Sequence, residues 1–473
     1  MTAIAPGEAD VVATLGAVSA ATRVRVGRGE GPAPRIDVFP GVEHQRIRGW
    51  EASGQFGEID CKRDAFTKYH REMVDRVVNE LGITRLRLSA RSGIESGVDT
   101  WPDFRGGRTN YGTWRRTWFV ATNDNADPRV ADPAGFQWGY FDRVVDTVIV
   151  PVREALARRG ESLYINLNFV DFYLGAGRKA FPQMKSPEEY AELIRVIFDH
   201  MQAKYGFTPD GLELLLEPEN SAYTPEDVGA SLVAVARRLR EGGYTPDFIG
   251  PSTTKAANAP EFWDAVNAVP GARGLLTEFA YHKYGGLSRP TLRAILLRAR
   301  RDGATTGMLE HIGSGFDGLY EDLTVANVSV WKQFTLGYCG LRDNADNEGV
   351  YYQVNQTDPA APRINITSQA RLLRQVFNYV RPGAVRLGAT SSLDGLRALA
   401  FRNATGRVVV VARSPTQQRF VIHGLPAGTY GVNYSMKAGR FNVDLPDVVV
   451  TDGTPVSLEI PGDAALTVYG RQP

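Results

Sequence analysis

The chain has 473 residues, more than one ordinary domain holds at about 100–200 residues each. A composition of 43% hydrophobic and 23% charged residues excludes disordered and collagen-like chains. The 54 basic and 53 acidic residues nearly cancel, which leaves no basic excess for a nucleic-acid backbone, and no apolar run reaches the ~18 residues of a membrane span.

Residues 1–33 are rich in Gly, Ala and Pro. Val11–Ala21 has the apolar character of a signal core, but Glu8 and Asp10 precede it and no Lys or Arg does. The segment reads as a poorly ordered extension, with secreted and cytoplasmic locations both open. Over 34–45, Arg35–Phe39 (RIDVF) reads as a strand that joins the strand-rich C-terminal region.

From Ile47 to about Tyr379 short apolar runs alternate with helical spacing. Strands are predicted at Ile47–Ser53, Ile83–Ala90, Leu163–Val170, Leu212–Glu217, Phe248–Thr253, Leu276–His282, Thr306–Glu310 and Val328–Leu336. Helices are predicted at Pro187–Gln202 after Ser186 as N-cap, and at Pro225–Glu241 between Thr224 and Gly242. Eight strand–helix alternations imply parallel strands, and eight closes a (β/α)8 barrel, here over 46–382; an open doubly wound sheet gives a similar string. After Pro382-Gly383 the pattern becomes strands and turns only, which predicts a β-sandwich over 383–473. Two cysteines, Cys61 and Cys339, allow one bridge and no Cys-rich metal site.

Within the barrel segment, Ser92 to about Phe136 is long and aperiodic, with Trp101, Phe104, Tyr111, Trp114, Trp118 and Phe119 beside Arg105, Arg108, Arg115 and Arg116. Such a loop lies on the face where barrel active sites form, and its aromatics, Trp114 among them, suit sugar faces. The competing reading is a surface insertion with a small core of its own. Two carboxylates end apolar strands at turn signals: Glu217 before Pro218, and Glu310 ahead of Gly313. They stand 93 residues apart, three repeats of about 31, which places them across a barrel mouth. Glycoside hydrolysis needs such a pair. An ion pair with an inward arginine such as Arg87 is the structural alternative for either. If Glu217 is not used, Glu219 is the substitute, on the same face of an extended segment.

Other signals are weak. Gly175–Ala180 matches a dinucleotide fingerprint by letter but is followed by Phe181-Pro182 rather than a helix. None of the six histidines has metal-ligand spacing, and no metal or organic cofactor is implied.

From Arg35 onward the chain resembles clan A glycoside hydrolases, most of all family 30. The likeness rests on GWEA (Gly49–Ala52), LRLSARSG (Leu86–Gly93), LEPEN (Leu216–Asn220), AYHKYGG (Ala280–Gly286), MLEHIG (Met308–Gly313), ANVSVWKQF (Ala326–Phe334) and FNYVRPGAVRL (Phe377–Leu387). It implies a retaining hydrolase with Glu217 as acid/base and Glu310 as nucleophile. Substrate-binding residues would be Arg87, Trp50, Asn168, Asn220, His282, Tyr284, Trp331, Trp114 and Arg115. One position departs. The clan has Asn before the acid/base Glu, contacting the sugar 2-hydroxyl; here it is Leu216, for which Asn220 or Asn168 must substitute. The expected partner is an oligo- or polysaccharide, cut internally, and the arginine-rich loop suits acidic groups on it. A non-catalytic glycan-binding protein on the same fold is the alternative.

Overall fold

The computed structural model describes residues 33–58, 61–62, 65–172, 181–221, 223–340, 349–451 and 453–471, with the backbone of 7–15 and 18–26. The Gly175–Ala180 fingerprint lies outside the described residues. Eight parallel strands close a barrel: β1 (Gly49–Ser53), β2 (Arg85–Arg91), β3 (Tyr164–Val170), β4 (Gly211–Glu213), β5 (Asp247–Thr253), β6 (Leu276–His282), β7 (Thr305–Glu310) and β8 (Val330–Gly340). Closure is made where Gly307 and Met308 of β7 pair with Val330 and Trp331 of β8. Two further strands continue from β8: β9 (Val350–Asn355), parallel to its second half, and β10 (Arg363–Ile366), antiparallel to β9.

The helices form for local reasons. Pro187–Tyr205 starts with Pro in its first turn and stops at Gly206, whose φ of 73° suits glycine. Ser186, expected to cap it, makes no side-chain cap hydrogen bond. Pro225–Glu241 does have a capping box, Thr224 accepting from Asp227 N while Asp227 accepts from Thr224 N.

Nine strands make the β-sandwich, with the strand Arg35–Arg46 set between Val385–Ser391 and Gln418–His423. Its core is apolar throughout, including Ile36, Leu387, Val410, Phe420, Val432 and Leu466. The helix Ser368–Phe377 joins it to the barrel: Thr467 Oγ1 donates to the Gln375 carbonyl (2.7 Å) and Arg371 Nε to the Met436 carbonyl (2.9 Å). Cys61 and Cys339 form a disulfide between the loop after β1 and the end of β8.

Three expectations need correction. Residues 7–15 and 18–26, read as part of a poorly ordered extension, pair as an antiparallel two-stranded ladder. β4 ends at Glu213 rather than Glu217, because Leu216 N turns to the Phe169 carbonyl of β3 and Glu217 N to the Ser252 carbonyl of β5. The last barrel strand runs on to Gly340, where pairing with β9 extends it.

Candidate active site

The barrel interior is charged. On β2 every second side chain faces inward. Arg85 donates to Glu51 (3.0 Å) and Glu278 (3.2 Å), and Arg87, two residues on, donates from Nη2 to Glu310 Oε2 (2.5 Å). Lys332 Nζ lies 3.2 Å from Glu51, and Asn166 donates to Glu51 (3.3 Å) and Glu213 (3.0 Å). Glycines make room for these groups: a Cβ at Gly307 would come within 2.9 Å of the Glu278 carboxylate, and one at Gly49 as close to the Arg85 stem.

Packing so many charges together sets their protonation. Burial, with the Arg87 guanidinium, pulls the Lys332 ammonium down to about 8. Burial works against the Arg87 cation, but Glu310, then Glu213, outweigh it and raise it. Burial also pushes Glu310 up; Arg87, His282 and Lys332 overcome that and hold its carboxyl at about 2, so it is ionised at any ordinary pH.

Glu310 reaches the mouth through a register irregularity between Met308 and itself on β7, which re-aims the side chain. Tyr284 Oη donates to its Oε1 (3.1 Å) and accepts from Ile312 N (3.3 Å). Glu217 sits at φ 48°, left-handed backbone that costs a non-glycine residue roughly 1–3 kcal/mol and persists where the surroundings enforce it. Its Oε1 lies 2.9 Å from His282 Nδ1, and its Oε2 accepts from Asn220 Nδ2 (2.7 Å). One oxygen of each carboxylate and one His282 ring nitrogen all lie within 4.8 Å of one another. These three could share a cation, but Glu310 is already occupied by the Arg87 guanidinium.

Both residues line a cleft of about 300 Å³. One wall comes from the long loop: Tyr111, Arg115, Trp118 and Phe119. Leu216 also lines it and packs with Phe119 and Val170. The structure thus gathers Glu217, Glu310, Arg87, His282, Asn220 and Tyr284, with Arg115 exposed at the rim. Asn168 is wholly buried, and neither amide atom has a hydrogen-bond partner among the described residues.

Three residues expected at the site are elsewhere. Trp50 faces outward, stacks on Phe377 at 4.7 Å and donates to the Val380 carbonyl (2.6 Å). Trp331 also packs near Phe377 and donates to Asp322 (2.8 Å). Their strand neighbours Glu51 and Lys332 take the inward positions, and alternation along a strand turns both tryptophans to the outer face. Trp114 is buried in the loop's own core, stacked on Phe104 at 4.6 Å. The loop has an aromatic core beneath and forms a cleft wall above. Glu219 does not share the face of Glu217. The segment is a tight turn, not extended, and Glu219 accepts from Thr254 N (2.8 Å) and Asn258 Nδ2 (3.1 Å).

Sequence reasoning missed several lining groups. Arg91 lies 3.3 Å over the Trp118 ring and donates to Glu58 (2.9 Å), both in the cleft wall. Glu58 follows a loop glycine and carries no signal. Lys332 did carry one, a lone cation inside an apolar strand.

No family model and no curated protein matches the sequence. Solved structures do. The catalytic domain of GH30 xylanase C from Talaromyces cellulolyticus matches with TM-score 0.67 at 15% identity, over 93% of this chain and 100% of that one. A glycoside hydrolase family 30 subfamily 8 xylanase from Clostridium acetobutylicum matches with TM-score 0.62 at 16% identity, over 93% and 100%. An endo-β1,6-glucanase matches with TM-score 0.62 at 15% identity, over 96% of each chain. The chain shares their fold. At this identity the likeness speaks for the architecture, a (β/α)8 barrel carrying a β-sandwich, and the chemistry has to be argued from the site.

Proposed function

We propose that the protein is a retaining glycoside hydrolase, with the barrel of about 46–382 as its catalytic unit. The observation that carries this is the carboxylate pair. One oxygen of each lies within 4.8 Å of the other, which supports the direct attack made with carboxyl groups about 5–5.5 Å apart over the water-mediated one at about 6.5–9.5 Å. Glu310, ionised and held by Arg87 and Tyr284, attacks the anomeric carbon. Glu217, held by His282 and Asn220, protonates the leaving oxygen and then takes a proton from the incoming water.

The substrate that fits is a chain rather than a single sugar, because the loop wall extends the cleft with Tyr111 and Trp118. An internal cut in a polysaccharide follows. Arg115 favours acidic groups on that chain: among the described residues it has no carboxylate partner, whereas Arg108 is paired with Asp103 at 2.7 Å. Asp124 and Asp127 accept from backbone N–H groups of their own loop instead.

Leu216 favours a second reading, a glycan-binding protein without turnover, since an apolar side chain cannot contact a 2-hydroxyl. Incubation with xylan, β-1,6-glucan and acidic polysaccharides separates the two. The expected result is oligosaccharide release in which the first product seen by NMR keeps the anomeric configuration of the substrate. Inverted product removes the retaining mechanism; binding without release on every polymer leaves the second reading.

A further inference from the structure

A second group of carboxylates lies behind the loop wall, away from Glu217 and Glu310. Asp124 belongs to the loop, and Glu189 and Glu192 to the first two turns of the helix Pro187–Tyr205. One oxygen of each lies within 4.8 Å of the others. Glu95, also buried, accepts from Asp124 N (3.3 Å) and Gln183 Nε2 (3.1 Å), and burial pushes its carboxyl up to about 7. Among the described residues none of the four has an ion-pair partner. Arg238, beside the cluster, donates instead to the Pro128 carbonyl (2.9 Å).

The independent observation is a set of buried oxygens in and beside this group that lack hydrogen-bond partners. Glu192 is only 2% exposed, and its Oε1 has no hydrogen-bond partner. Glu189 Oε2 is likewise buried and unpartnered. So is Asn123 Oδ1, whose amide Nδ2 donates to Glu189 Oε1 at 3.3 Å. A buried carboxylate without a donor is costly, and several together need a cation or a proton. Every free atom here is oxygen, with no His or Cys among them, which selects a hard cation. Oxygens sharing one ion at about 2.3–2.6 Å stand no more than about 4.6–5.2 Å apart, the spacing seen. Calcium accepts an irregular carboxylate-and-amide cage; magnesium demands near-ideal octahedral geometry.

We propose that Asp124, Glu189 and Glu192, with Asn123 Oδ1, bind a calcium ion that ties the loop forming the cleft wall to the helix Pro187–Tyr205. The site is distinct from the carboxylate pair at the barrel mouth, and the proposal does not depend on the glycosidase reading.

The test uses the full chain, treated with chelator and then exchanged into divalent-free buffer. Calcium chloride is titrated by calorimetry, and thermal unfolding is followed with calcium or magnesium added. The expected result is one calcium per chain with a dissociation constant of about 10⁻⁴ M or tighter. Tm should rise by about 3–5 °C at a hundredfold excess over that constant. Glu192→Gln should weaken calcium binding at least about tenfold, the scale of losing one charged ligand. If that variant does not fold, Asp124→Asn takes its place. Absence of calcium binding to the wild-type chain overturns the proposal. So does an equal response to magnesium, or unchanged calcium binding in the variants. A wild-type chain indifferent to calcium, together with a Glu192→Gln variant of raised Tm, would show instead two carboxyl groups sharing a proton.

Discussion

The sandwich closes over an uninterrupted apolar core, whereas the barrel closes over charge. Inside the sandwich, Ile36, Val410, Phe420 and Leu466 meet one another, and among the described residues that core buries no carboxylate. Inside the barrel, Arg85, Arg87, Lys332, Glu51, Glu213 and Glu278 are buried together. Ile249, Ala280, Leu309 and Val330, from β5 to β8, form an apolar patch there. Each buried ion costs several kcal/mol in lost hydration, which its partners offset only when the geometry is good. The barrel's cohesion therefore comes from the outer faces of its strands. There Trp50, Trp331 and Phe377 pack in one cluster with Tyr190, Phe198 and Trp263. What the charged interior supplies is orientation: it fixes Arg87, and Arg87 fixes Glu310.

The largest effect should come from the groups that interior serves. Glu310→Gln and Glu217→Gln should each lower turnover by about 10²–10⁴-fold or more while leaving the protein folded. A variant of either that retains most of its turnover removes that residue from the mechanism.

The contrast itself is tested by one change in each core. Lys332→Met leaves Glu51 buried with one cation fewer and should cost about 3–5 kcal/mol in urea unfolding. It should lower turnover as well, because Lys332 helps to keep Glu310 ionised. Leu466→Ala, wholly buried in the sandwich, should cost a similar 2–5 kcal/mol through its cavity and leave turnover per folded molecule unchanged. Equal turnover in the two variants would mean that the charged interior has no link to the site.

Acid should divide the two regions too. The Glu310 carboxyl is held at about 2 against an ordinary value of 4.5. A carboxyl depressed by folding contributes stability that is fully present above about pH 4.5 and is lost as pH falls toward 2. The shift corresponds to roughly 3 kcal/mol at neutral pH. Urea unfolding at pH 6.5 and pH 3 should therefore show a smaller acid loss for Glu310→Gln than for wild type, and none of that difference for Leu466→Ala.

The two regions also differed in how plainly they could be read. Period and turn residues marked eight barrel strands and the change to strands alone at Pro382, because hydrophobic spacing is local. The strand end bearing Glu310 was legible for the same reason, whereas Glu217 lies past the end of β4, in the turn that follows it. A buried charge beside a tryptophan is unusual in a strand, so Trp50 and Trp331 were placed inside, whereas Glu51 and Lys332 hold the interior positions and the tryptophans pack outside. The left-handed turn at Glu217 was hidden as well, and with it the fate of Glu219. Arg91, at the end of β2, meets Glu58 from the loop after β1, and neither segment carries a trace of that contact. β9 and β10 went unseen because their runs, VYYQVN and RINI, are short and sit between a loop and a helix.

The smallest expected effect lies at the rim. Arg115 is exposed and stands 5.8 Å from the Trp118 ring, without a carboxylate to hold it. Arg115→Ala should leave Tm unchanged, since an exposed charge contributes at most about 1 kcal/mol. On an acidic polysaccharide it should raise KM by a few fold with little change in kcat, the mark of a contact equally strong in ground and transition states. On a neutral polymer it should change neither. Salt provides the matching control: the difference between the two polymers should shrink as ionic strength rises from about 0.01 M to 1 M, where the Debye length falls from about 30 Å to 3 Å. A KM on acidic polymer that ignores both the substitution and the salt would remove the charged substrate and leave the aromatic wall, Tyr111 and Trp118, as the part of the loop that meets the chain.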